Sequence, residues 1–458
     1  MEANSLTKSE WQAGISLASV YVLRMLGLFM VIPVIAVAAQ EYPDYSPLWV
    51  GLAIGGYGLT QAIFQIPMGL LSDKWGRKPI IYIGLVLFAI GSLIAGLADS
   101  MWLLTIGRII QGSGAIAGAI MALATDVTRE SQRTKVMALI GISIGFSFYI
   151  ALLLGPVIAA SFGLQGIFLI TAVFSLLCIP LVRLGIDNKA YQAPSGDALP
   201  KTKLLGSLFK HPHLWRLNWS VLVVHLLITC FFVQVPVMLI SINVPLSEHW
   251  ALYSLVLFAS VIGLIGLIKM AGKLPVSISF RVALLFMASA FALLLILSPS
   301  WSGIAMAGIL FFTGFNFLEA KMPAMVSSIS PAGSKGSAMG IYASHQFLGA
   351  FLGGVLSGLL NSYFSPEYTF IMCLVVIFLL SLIASGLASS TLQVQRVTLR
   401  LENRHKDAQS LQLLRDKINS MAGVQEVLAD PEENAMYLKV DAKIFEMDVA
   451  NAHIKAQI

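Results

Sequence analysis

The sequence predicts an all-α membrane protein of twelve spanning helices with a small α+β domain at its C-terminal end. Three observations carry that reading. Of the 458 residues, 57% are hydrophobic and only 11% are charged. The apolar residues gather in runs long enough to cross a bilayer, and basic residues occupy every second connector between the runs. Soluble domains carry about 25% charged residues, and a chain of 49.4 kDa with so few could not keep a globular surface wet.

A bilayer core requires about 20 residues of helix. Runs of that length lie at 13–38, 48–71, 79–98, 101–124, 135–160, 165–184, 215–240, 249–270, 278–298, 301–323, 336–360 and 367–388. The first follows the mixed-charge start Glu2, Lys8, Glu10 and is long enough to span, so it reads as a helix and not as a cleavable signal. Many of the 38 glycines lie inside the runs, where small residues let transmembrane helices approach closely. Cys178, Cys230 and Cys373 also sit in apolar runs without metal-ligand spacing, and read as small buried hydrophobes.

Charge sets the orientation. The connectors 39–47, 99–100, 161–164, 241–248, 299–300 and 361–366 hold no Lys or Arg. The alternate ones hold Lys74, Arg77 and Lys78; Arg129 and Arg133; Lys189, Lys201, Lys203 and Lys210; Lys273; and Lys335. Basic loops stay cytoplasmic, so both termini are expected inside. The longest connector, 185–214, divides the runs into halves at 1–184 and 215–390, the pattern of two related bundles. The net charge of +6 sits in these short loops, where it faces anionic headgroups.

Between the second and third runs lies Gly69-Leu-Leu-Ser-Asp73-Lys-Trp-Gly76-Arg77-Lys78-Pro79, a tight turn with one acid and three bases. Gly76 suits the turn, and Asp73 can pair with a base or cap the next helix. The loop resembles the signature G-x-x-x-D-[RK]-x-G-[RK]-[RK] of the major facilitator superfamily, and the resemblance extends over most of residues 10–390. It implies the family's twelve-helix fold of two six-helix bundles and secondary transport. It also implies a charge network of Asp73 and Arg77 with Asp126, which latches the outward-facing state. Arg108-Ile-Ile-Gln111-Gly-Ser-Gly-Ala115 resembles the family's R-x-x-Q-G-x-G-A element, linked to energy coupling. Gly155-Pro156 resembles its antiporter motif, although Ala151 and Ala159-Ala160 replace glycines of the full pattern. The second-half equivalent of the signature loop, around Lys269 to Lys273, has largely decayed. More narrowly, Leu23 to Gly27, Tyr57 to Ala62, Phe64 to Pro67 and the soluble extension resemble the YajR type of proton-coupled bacterial efflux transporter. That resemblance implies the inner membrane of a Gram-negative bacterium.

Charged groups at membrane depth are costly and mark function or structural pairing. Arg24, Arg108, His225, Glu319 and His345 are therefore the coupling candidates. Arg24 falls near mid-depth, as a cavity group or as a partner of an acid or a carbonyl. His225 and His345 also fall near mid-depth, as proton carriers or packing groups. Glu319 is placed at the inner end of its run, a second-half counterpart of the Asp126 contacts, and no acid is expected at the centre of any span. With Arg24 as the central fixed charge, anionic or neutral amphiphiles fit better than multivalent cations. Met25, Phe29, Tyr57, Gln61, Gln65, Gln234 and Asn316 are candidate cavity lining, each also readable as helix packing.

Residues 394–458 carry nine bases and ten acids, so no basic stripe points to nucleic acid. Residues 394–402 alternate as a strand, 408–421 are apolar at helical spacing, 424–429 and 435–441 read as strands, and 446–456 as a helix. The order βαββα is a ferredoxin-like half-sandwich whose fourth strand falls beyond the chain end. An open strand edge suits self-association. The loop 403–408 has no Cys-x-x-Cys, so metal transfer is not expected. No cofactor loop, metal triad or nucleophile arrangement points to an enzyme. The expected activity is proton-driven efflux of small amphiphilic or anionic compounds. The competing readings are uptake of a small anion or nutrient, and a non-transporting sensor or scaffold.

Overall fold

The structure, a computed structural model, describes residues 6–129, 132–187, 202–297, 299–387, 394–401, 408–430, 435–441 and 444–445. The expected helix at 446–456, the loop at 403–407 and much of the 185–214 connector lie outside them. The helices run α1 Lys8–Val31, α2 Ile35–Ala38, α3 Pro47–Trp75, α4 Arg77–Gly96, α5 Met101–Ser113, α6 Ala117–Asp126, α7 Arg133–Gly185, α8 Thr202–Lys210, α9 Pro212–Ser241, α10 His249–Ala271, α11 Val276–Ile296, α12 Trp301–Ile329, α13 Lys335–Tyr363 and α14 Glu367–Ala384. Strand β1 Val394–Arg400, helix α15 Ala408–Asn419, strand β2 Val424–Asp430 and strand β3 Ala435–Asp441 follow.

Among the described residues, ten helical stretches are long and apolar enough to cross a membrane. The difference from the twelve expected runs has two sources. Helix α3 is 29 residues long, but Gly51, Gly55, Gly56, Gly58, Gln61 and Gln65 dilute its hydropathy. Helix α7 continues for 53 residues, roughly 80 Å of helix against a bilayer core of about 30 Å. Gly163, with φ of 64° and ψ of −173°, breaks it into two limbs where the fifth and sixth runs were expected to separate. The first run divides at Ile32–Val34, beside Pro33, and the fourth is interrupted between Ser113 and Ala117.

Three apolar cores form in the helical body: one from residues 13–186, one from residues 30–168 with Val233, and one drawn mostly from 208–387. Side chains such as Phe258 and Leu285 remain exposed, as lipid-facing groups do. The two halves of the helical body meet along a seam between the N-terminal half of α3 and the C-terminal half of α13. A Cβ added to Gly51 would stand 2.2 Å from the Gly354 carbonyl oxygen, and one added to Gly354 would stand 2.6 Å from the Gly51 oxygen. Nearer mid-helix, the Ser344 hydroxyl donates to the Ala62 carbonyl at 3.0 Å. Phe148 of α7 lies 6.2 Å from Phe312 of α12 and joins the halves on another side.

The C-terminal strands pair in the order β1-β3-β2, antiparallel at both contacts. Helix α15 covers one face of the sheet: Leu414 and Ile418 pack on Met436, Leu438 and Val440. This is the βαββ part of the expected order.

Candidate functional site

The loop after α3 is built on a helix stop and restart. Gly76 adopts φ of 91°, a region open to glycine, and α4 begins at Arg77. The Arg77 Nε donates to Asp126 at 3.0 Å, and its Nη1 donates to the Ser72 hydroxyl at 3.0 Å and to Asp73. Ser72 donates in turn to the Gly69 carbonyl at 2.6 Å. The Lys78 ammonium caps the end of α7 at the Ile186 carbonyl, 2.7 Å away. Asp73, Arg77 and Asp126 are thus brought together by three elements of the first half.

A neighbouring contact was missed by sequence reasoning. Arg129 donates through its Nε and Nη2 to the two oxygens of Glu10, each at 2.8 Å, and its backbone N–H adds a third bond at 2.9 Å. Glu10 also forms a capping box with Thr7 at the start of α1. The pattern Thr7-x-x-Glu10 was the available signal, but its distant partner was not legible.

Arg24 and Arg108 are both 2% exposed, and both donate hydrogen bonds to neutral acceptors. Arg24 donates to the Gly114 carbonyl at 2.8 Å and to Gln61 at 3.4 Å, with the Phe88 ring 5.3 Å away. Gly114 lies in the break between α5 and α6, where helix carbonyls lack their usual partners. Tyr21 supports the same break by donating to the Ala117 carbonyl at 3.0 Å. Arg108 donates to the Ala53 carbonyl at 3.1 Å and to Gln111, and lies 4.6 Å over the Tyr57 ring. Of Arg24's open alternatives, the geometry contains the carbonyl contact. Both acceptors are neutral, so Arg24 keeps its full positive charge inside the first half.

The second half holds a different cluster. His225 Nδ1 lies 3.6 Å from Glu319 Oε1 and 3.1 Å from the Val221 carbonyl. Gln346 Nε2 lies 2.7 Å from His225 Nε2. These contacts fit an Nδ1–H tautomer with Gln346 as donor. The Phe315 ring packs 6.0 Å away, and the buried Glu319 Oε1 and Tyr342 hydroxyl have no hydrogen-bond partner. Helix α12 continues through Pro323 to Ile329, so Glu319 is about 15 Å of helix from its C-terminal end, beside His225. His345 is directed elsewhere, bonding the Ile341 carbonyl at 2.8 Å with Phe209 6.1 Å away. Tyr342 and Gln346 were not singled out from the sequence; their spacing of four along α13 is the signal that places them on one face.

The remaining candidates scatter. Asn316 bridges the halves, donating to the Tyr149 hydroxyl at 3.1 Å and to Ser260 at 3.3 Å. Phe29 stacks edge-on against Phe148 at 5.0 Å. Gln61 donates to Gln65 at 3.3 Å, while Met25 and Tyr57 are buried. Gln234 is held by Asn361 at 2.8 Å and Thr369 at 3.1 Å, within the second half. Gly155 lets α7 approach α1, since a Cβ there would stand 2.5 Å from the Met30 carbonyl oxygen; Pro156 follows inside the helix. Among the described residues no group of three or more metal-ligating side chains gathers.

The sequence matches the Major Facilitator Superfamily model over residues 17–318 and 270–420. It is 37% identical to the "Inner membrane transport protein YajR" of Escherichia coli (strain K12), over 98% of this chain and 99% of that one. It is 33% identical to the "Tetracycline resistance protein, class H" of Pasteurella multocida over 31% of this chain and 35% of that one. Among solved structures, a D-xylose-proton symporter superposes with a TM-score of 0.66 at 12% identity, covering 83% of this chain and 98% of the other. A helical body of this kind, matched from end to end by a transport protein, identifies the chain as a transporter of the major facilitator superfamily.

Proposed function

We propose that the protein is a proton-driven exporter of small amphiphilic compounds, and that the His225–Glu319 pair is its coupling site. The observation that carries this reading is a carboxylate and an imidazole 3.6 Å apart between α9 and α12. In a low-dielectric interior an added or removed proton changes the local field strongly. With Glu319 ionised and His225 neutral, the site holds one negative charge and suits a cationic or polar amphiphile. Proton entry cancels that charge, so proton and substrate compete for one carboxylate, as antiport requires. The tetracycline resistance relative makes a compound of that type a reasonable first substrate to test.

The same proposal includes twelve spans: the ten stretches, with α7 among them counted as two limbs, and α3. The halves fall at 1–184 and 215–390, joined by the 185–214 linker, with 394–458 as a ferredoxin-like cytoplasmic domain. Both termini face the cytoplasm because the Lys/Arg-bearing connectors alternate. An inner-membrane location follows the YajR relative. The network of Gly69, Asp73, Gly76, Arg77, Lys78 and Asp126 is assigned a role in the conformational cycle. Two bundles rocking about a central site give alternating access.

The test is accumulation of tetracycline and ethidium in inverted proteoliposomes under an imposed pH gradient. Accumulation should collapse with the gradient and be lost in Glu319→Gln. Gradient-independent flux refutes proton coupling, and gradient-driven accumulation by Glu319→Gln refutes the assignment of the site.

A further inference from the structure

The C-terminal sheet has two faces, and only one belongs to its own helix. Along β3, Met436, Leu438 and Val440 point to α15, while Ala435 and Tyr437 point away from it. In an isolated βαββ unit that second face would be wet, yet Tyr437 is only 2% exposed. What covers it is the turn between α12 and α13: Ala332 packs with Ala435, Tyr437 and Leu428. Glu426 of β2 accepts the Ala332 backbone N–H at 3.0 Å and lies 3.8 Å from the Lys439 ammonium. Gly333 adopts φ of 72°, and a Cβ there would stand 2.3 Å from Leu428 Cδ2. His211, which caps the start of α9, feels the charges of both Lys439 and Glu426. The unit is therefore seated on the inner ends of α9, α12 and α13.

Helix α13 also forms the outer seam with α3, at Gly354 against Gly51 and at Ser344 against Ala62. Beyond Ala62 and Ser344 the two helices continue to the charged loop at Asp73–Lys78 and to the 330–334 turn. Rocking that opens the outer seam brings these inner ends together. We propose that the docked C-terminal unit is a spacer that holds the outer seam closed, and that it shifts on the turn before the seam can open. This rests on the alternating-access reading above.

The test uses the full chain with Ala332→Cys and Leu428→Cys, joined by a short reducible bis-methanethiosulfonate; the native cysteines are buried. Hydrogen exchange of peptides covering 47–58 and 347–358 is then measured in nanodiscs before and after reduction. The expected result is cross-linking in folded protein and at least a threefold rise in seam exchange on reduction. Gly333→Ala, which unseats Leu428, should give the same rise without any cross-linker. Absence of cross-linking in folded protein overturns the docking. Cross-linking that leaves seam exchange unchanged by reduction overturns the spacer role. A Gly51→Ala control separates the causes: if it raises seam exchange while reduction does not, only the spacer role falls. If neither changes it, alternating access at this seam falls as well.

Discussion

Replacing Gly51 by Ala should shift the protein toward an outward-open arrangement. The added methyl would sit 2.2 Å from the Gly354 oxygen, 2.9 Å from its carbonyl carbon and 3.2 Å from Gly358 Cα. Comfortable contact begins at about 3.5 Å, so α3 and α13 must separate by roughly 1 Å, and backbone atoms on the far side cannot swing away. Overpacking of this kind costs about 1–3 kcal/mol. The helix-propensity gain of Ala over Gly cancels, because α3 is helical whichever way the seam stands. A penalty near 2 kcal/mol on the closed seam alone raises the open-to-closed ratio about 30-fold. Spin labels on the outer ends of α3 and α13 report the distance distribution, and the long-distance population should rise accordingly. Gly145→Ala is the control, since nothing lies within 4 Å of a Cβ there. A Gly51→Ala distribution indistinguishable from the parent would refute the idea that this seam is the outer gate.

Three further outcomes are expected. Asp126→Asn should lower stability by about 1–3 kcal/mol, because Arg77 and Asp126 are only 13% and 18% exposed. Thermal unfolding in detergent measures it, and a cycle with Arg77→Gln should show coupling of at least about 0.5 kcal/mol. Arg24→Met should destabilise by about 0.5–1.5 kcal/mol, because the Gly114 carbonyl loses its Arg24 donor and keeps only the Ile116 N–H at 3.0 Å. Arg24→Lys should recover part of that loss, and a fully stable Arg24→Met would contradict the carbonyl-holding role. Docking of the C-terminal unit should weaken as the pH falls below about 6.5, the ordinary histidine value. Burial, then the charges of His213 and Lys439, hold His211 below that value, against the pull of Glu426. Of these charges the docked unit supplies Lys439 and the weaker Glu426, so the undocked form binds the proton more tightly and docking is strongest above that pH. Cross-linking yield of the Ala332/Leu428 cysteine pair across pH 5–8 checks the sign.

Hydropathy and loop charge made the helical body legible, because lipid imposes its demands residue by residue. The same rule that located α3 also understated it, since the glycines and glutamines that pack α3 against α13 and α5 are the residues hydropathy discounts. The loop at 69–79 was legible as a motif, but its partner Asp126 came from family resemblance. The length of α12 beyond Glu319 was not legible: the apolar run was ended near Pro323, a residue α12 tolerates. Nor was the partner of Arg24, because the break after Ser113 carries no proline to announce it. The β-strands at the C-terminus followed from alternation, whereas the second buried face of β3 depended on a turn about a hundred residues away.

The break in the fourth run has an electrical consequence. Arg24 is held by the carbonyl end of a helix and not by a titratable acid, so its balancing charge does not depend on pH. Arg108 is likewise bonded to a carbonyl and an amide. The two arginines in the core of the first half thus bond acceptors that do not titrate. With the coupling site proposed above, the number of charges translocated per turn is set by the His225–Glu319 pair and the substrate. A reversal potential measured with one substrate would count the protons on that single pair.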